Sequence, residues 1–200
     1  MRILVVGGNG TIGKAVVAKL EAENYEVLTA GRTSGDVQVD ITLPESIEQM
    51  FQKVGNVDAI ISTAGAAKKV LVEEMTPEDN MVAVQSKLLG QINLALIGQK
   101  YLRNNGSITL TTGVMKDDPI AAGASSAMAN GGVAAFVKAA AIDYTRGIRI
   151  NCVSPNVLEE SYDRLKESFK GFVPVPADRV ATAFLKSVAG KQTGQEYKVY

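Results

Sequence analysis

The chain has no histidine, no tryptophan, one cysteine and six prolines in 200 residues. Without histidine, Ser-His-Asp and Cys-His nucleophiles are excluded, and a transition-metal site lacks its commonest ligand; no metal is expected. The single Cys152 cannot form an intrachain disulfide, which points to a reducing cytoplasm. Lying within an apolar segment, it reads as an inert core thiol. Neither charge sign predominates: 21 basic and 21 acidic residues give zero formal net charge. That balance argues against nucleic-acid and membrane-surface partners. No apolar run is read as reaching transmembrane length, and the first residues enter a strand at once, leaving no room for a signal peptide. Residues 1–200 are expected to form a single domain with one sizeable core.

Glycine is what the chain does have, with 19 residues. Ile3-Leu4-Val5-Val6 is a short apolar run suited to a buried parallel strand. It leads into Gly7-Gly8-Asn9-Gly10-Thr11-Ile12-Gly13, followed by Val16, Val17 and Leu20 at helical spacing. Strand, glycine turn and helix in that order are the context of a dinucleotide fingerprint. Glycines let backbone N–H groups approach a pyrophosphate, and the helix N-terminus adds partial positive charge. A magnesium-binding phosphate loop is excluded, because Ala15 follows Lys14 where a Ser or Thr hydroxyl is required.

Strands are expected at Tyr25–Ala30, Val37–Val39, Val57–Ile61, Ser107–Thr111, Ile148–Val153 and Glu196–Tyr200. Helices alternate with them, including a long one from Thr76 to about Tyr101 and a small-residue one from Ala121 to Tyr144. This alternation implies an α/β, Rossmann-type, doubly wound, mainly parallel seven-stranded sheet with helices on both faces. Gly131 and Gly132 inside a helix call for close backbone packing, at a helix–helix or subunit interface.

Four segments resemble the short-chain dehydrogenase/reductase family. The opening glycine turn is similar to its T-G-x-x-x-G-x-G, with Val6 and Thr11 as departures. Ser62-Thr63-Ala64-Gly65 resembles N-N-A-G; Ile148 to Asn156 resembles I-R-V-N-x-V-S-P-G; Thr193-Gly194-Gln195 resembles T-G-Q. The resemblance implies hydride transfer between a nicotinamide cofactor and a small carbonyl or alcohol, in a homo-oligomer. Gly7, Asn9, Gly10, Thr11, Ile12 and Gly13 would hold the pyrophosphate, and Asp40 and Ile41 would flank adenine. Ala64, Gly65, Pro155 and Val157 would line the nicotinamide side.

No acidic residue occupies Ala30-Gly31-Arg32-Thr33-Ser34, where an NAD site places one on the ribose. Arg32, with Thr33 and Ser34, suits a 2′-phosphate, so NADP(H) is expected over NAD(H); a solvated Arg32 is the alternative. The family's Asn-Ser-Tyr-Lys tetrad is missing. Lys87 stands at the Asn position, Gly113 beside Thr112 at the Ser position, Ser126 at the Tyr position and Asn130 at the Lys position. An aliphatic hydroxyl is a far weaker acid than a phenol. Two readings of Lys87 stand: it supplies the missing cation to a pocket of Thr112, Ser126 and Asn130, or it snorkels to solvent. Tyr162 is the one tyrosine worth testing as a replacement acid, although its spacing with Leu158 and Leu165 reads as packing. The functional expectation is an altered oxidoreductase; the alternative is a nucleotide-binding sensor or partner-binding protein without turnover.

Overall fold

A computed structural model describes all 200 residues, Met1–Tyr200. The strands are β1 (Arg2–Val6), β2 (Glu26–Gly31), β3 (Val37–Gln38), β4 (Val57–Ser62), β5 (Leu102–Thr111), β6 (Arg149–Pro155) and β7 (Glu196–Val199). The α-helices are α1 (Thr11–Ala22), α2 (Pro44–Val54), α3 (Pro77–Val82), α4 (Gln91–Gly98), α5 (Ala124–Asp143), α6 (Glu159–Leu165) and α7 (Ala177–Ala189). One sheet in the order β3-β2-β1-β4-β5-β6-β7 is parallel throughout. The doubly wound sheet expected from the alternating pattern is therefore observed. Its strand order reverses between β1 and β4, which opens a crevice at the carboxyl ends of the strands.

Alternation along each strand sorts side chains to two cores. Leu4, Val6 and Ile60 face α2, α4 and α5, against Phe51, Leu94 and Val133. Ile3, Val5 and Ile61 face α1 and α7, against Val16, Leu20 and Phe184. Strands covered on both faces need continuous apolar sequence, which is what β1 and β4 carry.

Two elements depart from expectation. The segment from Thr76 to Tyr101 is not one uniform helix. Thr76 and Asp79 form a reciprocal capping box at the start of α3, Ala83–Gly90 is π-helical, and α4 follows. Residues Pro77–Tyr101, 25 residues of mean hydropathy 1.2, are long and apolar enough to cross a membrane by length and composition. That corrects the sequence reading. Even so, Lys87 lies in the middle of this stretch, and Leu94 and Ala95 are buried against the sheet. The second departure is β5, which begins at Leu102 rather than Ser107. Leu102 pairs with Val57 and Ser107 with Ala59, so Asn104-Asn105-Gly106 lie within a bulged strand instead of ending a helix.

The glycine pair of α5 has two different environments. A Cβ on Gly132 would lie 2.6 Å from Leu88 Cδ1, so this position packs within the chain, whereas Gly131 faces open space. Cys152 is buried and its thiol is pushed up to about 12 by that burial, in keeping with an inert core position.

Candidate active site

The crevice is organised by the turn after β1. Gly7 has φ +87, a conformation L side chains rarely adopt, and a Cβ on Gly13 would lie 2.1 Å from the Gly7 carbonyl oxygen. Only glycine allows α1 to start this close to the strand. The Thr63 hydroxyl donates to the Gly7 carbonyl at 3.0 Å, joining the turn to β4. Gly10 caps α1 with no side-chain hydrogen bond, and no acidic residue occupies the first turn. The first N–H groups of α1 are thus left for an external anion. Asn9, Gly10 and Thr11 are exposed at this end, and Ile12 lines the deeper cavity.

A cavity of about 250 Å³ lies over β1, β2 and β3, lined by Gly7, Arg32, Asp40, Ile41, Ala64 and Gly65, among others. Six of the expected cofactor residues are brought together here. Thr33 and Ser34 are exposed and do not line it. The nearby acid Asp36 has its carboxylate occupied, accepting from the Thr29 backbone N–H and hydroxyl at 2.8 Å each. Those bonds hold its carboxyl below the ordinary carboxylate range. The Asp40 carboxylate likewise accepts from the Thr42 hydroxyl at 2.7 Å and its N–H at 3.0 Å.

A second cavity, of about 290 Å³, lies over β4, β5 and β6. Lys87, Thr112, Asn130, Pro155 and Val157 line it. Lys87 comes from the π-helical turn, its stem pressed against Gly65, where a Cβ would lie 3.1 Å from Lys87 Cγ. The turn is pinned by Gln91. Its fully buried amide donates to the carbonyls of Lys87 at 3.0 Å and Thr111 at 2.8 Å, and accepts from the Thr111 N–H at 2.8 Å.

The Lys87 ammonium has no hydrogen-bond or ion-pair partner, and its remaining accessibility comes from facing the cavity. The surrounding protein strips it of water and lowers its pKa from 10.5 to about 8. Asn130 is fully buried. Its Nδ2 donates a long bond of 3.4 Å to the Gly113 carbonyl, and its Oδ1 has no partner. The Thr112 hydroxyl reaches the Val153 carbonyl at a long 3.4 Å. An unpaired buried acceptor and an unpaired ammonium on one cavity wall suit a ligand rich in hydroxyl and carbonyl oxygens.

Ser126 is not part of this wall. It lines an adjoining chamber with Lys68, Lys69, Ile120 and Phe169. One helical turn separates it from Asn130, yet the two side chains serve different cavities. Tyr162 packs against the small cluster of Val114, Val157 and Phe169, as its spacing implied. Tyr144 packs against the main core, and burial pushes its phenol up to about 12.

Sequence reasoning did not single out Met115 and Phe169, and it read Leu165 only as packing beside Tyr162; all three line both the Lys87 cavity and the adjoining chamber. It also missed an ionic cluster behind the loop after β5. Lys116 bonds Asp117 and Glu196 at 2.6 Å each, Lys198 bonds Asp117 at 2.8 Å, and the Tyr200 hydroxyl donates to Asp117 at 2.6 Å. This cluster pins the loop that carries Met115 to the last strand. Only the register of β7 beside β6 brings these residues together.

A sequence model described as Enoyl-(Acyl carrier protein) reductase matches residues 5–195. The crystal structure of the protein lin1944 from Listeria innocua is similar at a TM-score of 0.98 and 59% identity, covering 100% of both chains. A small-chain dehydrogenase solved in complex with NADPH is similar at a TM-score of 0.88 and 28% identity, covering 100% of this chain and 96% of that one. The 3-oxoacyl-[acyl-carrier-protein] reductase MabA of Mycobacterium tuberculosis is 25% identical over 198 residues, 90% of this chain and 79% of MabA.

Proposed function

This chain belongs to the short-chain dehydrogenase/reductase family, and from that premise we propose that it catalyses hydride transfer between NADP(H) and a small carbonyl or alcohol, with Lys87 handling the proton. The observation that carries this reading is the unpaired Lys87 ammonium on the cavity wall, with a pKa near 8. An acid–base group is most effective when its pKa lies near the working pH. A lysine at about 8 meets that condition better than an ordinary phenol near 10.

The nicotinamide, when bound, supplies or accepts the hydride. The protein's own residues do the rest. The uncapped start of α1 and the glycine turn hold the pyrophosphate, and Arg32 meets the 2′-phosphate. Lys87 donates its proton to the substrate oxygen during reduction and, as the neutral amine, accepts one during alcohol oxidation. Asn130 Oδ1 accepts from a ligand hydroxyl, and Thr112 offers its weakly engaged hydroxyl. The chain acts in the cytoplasm on this reading.

One observation favours the competing reading of nucleotide binding without turnover: Ser126, at the position of the family's tyrosine, lines the adjoining chamber instead. Calorimetric titration with NADPH and NADH, followed by a carbonyl panel read as loss of NADPH absorbance, separates the two. We expect Arg32→Ala to weaken NADPH about 10- to 100-fold, the loss of one charge-assisted contact, and to leave NADH nearly unchanged. Absence of binding by either nucleotide refutes both readings. Binding without any oxidation of NADPH refutes the catalytic one.

A further inference from the structure

The chamber beside the Lys87 cavity, about 200 Å³ in volume, shares Met115, Leu165 and Phe169 with it, so the two lie side by side on the same three side chains. Its remaining surface is mostly apolar, including Ala67 and Ile120, with Lys68 and Lys69 from the segment after β4. No Asp or Glu lines either cavity, whereas three lysines do. Lys68 is matched by Asp79 at 2.6 Å. Lys69 has no carboxylate partner; its ammonium donates only to the hydroxyl of Ser168, from the segment between α6 and α7. Lys69 is itself exposed, so it stays charged beside the apolar chamber with no carboxylate opposing it, and it favours a ligand whose own charge is negative.

We propose that this chamber receives an apolar, anion-terminated tail of the substrate, with Lys69 and Ser168 holding a carboxylate or phosphate while the reacting carbon lies beside Lys87. The proposal rests on the oxidoreductase reading above and narrows it to aliphatic oxo acids or oxo-alkyl phosphates and the corresponding alcohols. The apolar middle of such a molecule packs on Met115, Leu165 and Phe169, and the anion gives direction to its entry.

The test is calorimetric titration of the NADPH-saturated protein with hexanoate, hexyl phosphate and 1-hexanol. At least one anion should bind about tenfold more tightly than hexanol, as expected of one charge-assisted contact. Lys69→Met should abolish that preference while NADPH and hexanol affinities stay unchanged, and Lys69→Arg should retain it. Whichever anion binds more tightly identifies a carboxylate or a phosphate as the natural terminus. Equal affinity for anions and hexanol, no binding of any probe, or a preference that survives Lys69→Met would overturn the proposal. If NADPH itself fails to bind, the nucleotide reading falls and this one falls with it; bound NADPH without anion preference removes this one alone.

Discussion

Replacing Lys87 with methionine should make the protein more stable and less active at once. The ammonium sits unpaired on a cavity wall, with its pKa lowered from 10.5 to about 8 by loss of water. That difference corresponds to about 3 kcal/mol of disfavoured charge, and contact with cavity solvent reduces it to about 1–3 kcal/mol. The penalty is complete below pH 8, where Lys87 is charged in both the folded and unfolded states. Between pH 8 and 10.5 the unfolded chain holds the proton and the folded one releases it. Folding stability from this group therefore rises with pH across that window. Methionine keeps the stem packed against Gly65 and removes the charge. Urea unfolding at pH 7 should show Lys87→Met more stable by about 1–3 kcal/mol, the difference closing by about pH 10.5. NADPH-dependent carbonyl reduction should fall about 10²- to 10⁴-fold with the nucleotide Kd unchanged. A variant no more stable than the parent at pH 7, with parallel stability curves to pH 10.5, would refute the reasoning.

Three further substitutions probe the scaffold. Gly13→Ala drives a methyl into the Gly7 carbonyl, so a thermal melt should show a loss of about 3 kcal/mol or more, and NADPH binding should disappear. Gln91→Leu leaves the Thr111 N–H and C=O without their buried partner; urea unfolding should register about 2–5 kcal/mol and NADPH turnover should drop as the Lys87 turn loosens. Lys116→Met strands the carboxylate of Glu196, whose side chain is 10% exposed, and should cost about 3–5 kcal/mol at neutral pH by the same assay.

The sheet and the glycine turn are legible because their signals are local. Ile3 to Gly13 carries strand, turn and helix start in one contiguous stretch, and steric contacts of 2–3 Å around Gly7 and Gly13 permit little else. The β5 start was misread because Asn104-Asn105-Gly106 carries turn chemistry, while its placement in a bulge depends on pairing with Val57 and Ala59 far away in sequence. The π-helical wind at Lys87 left no periodic trace, since it depends on Gln91 reaching across to Thr111. Ser126 and Asn130 share a helix face at i and i+4, yet a face does not specify a cavity: Asn130 lines the Lys87 cavity and Ser126 the chamber beside it. Lys116 and Glu196 lie eighty positions apart, and nothing in their own neighbourhoods marks them as partners.

The interior position of β1, between β2 and β4, has a consequence for synthesis. Its four apolar residues pair with β4, which leaves the ribosome about 50 residues later, and at roughly 5–20 residues per second that is a wait of about 3–10 s. During that interval Ile3 to Val6 has only β2 alongside, with one edge and much of both faces bare. A strand whose four apolar residues are fully buried in the finished sheet is thus among the longest exposed in the nascent chain, and translation speed between Glu26 and Val57 becomes a lever on folding yield.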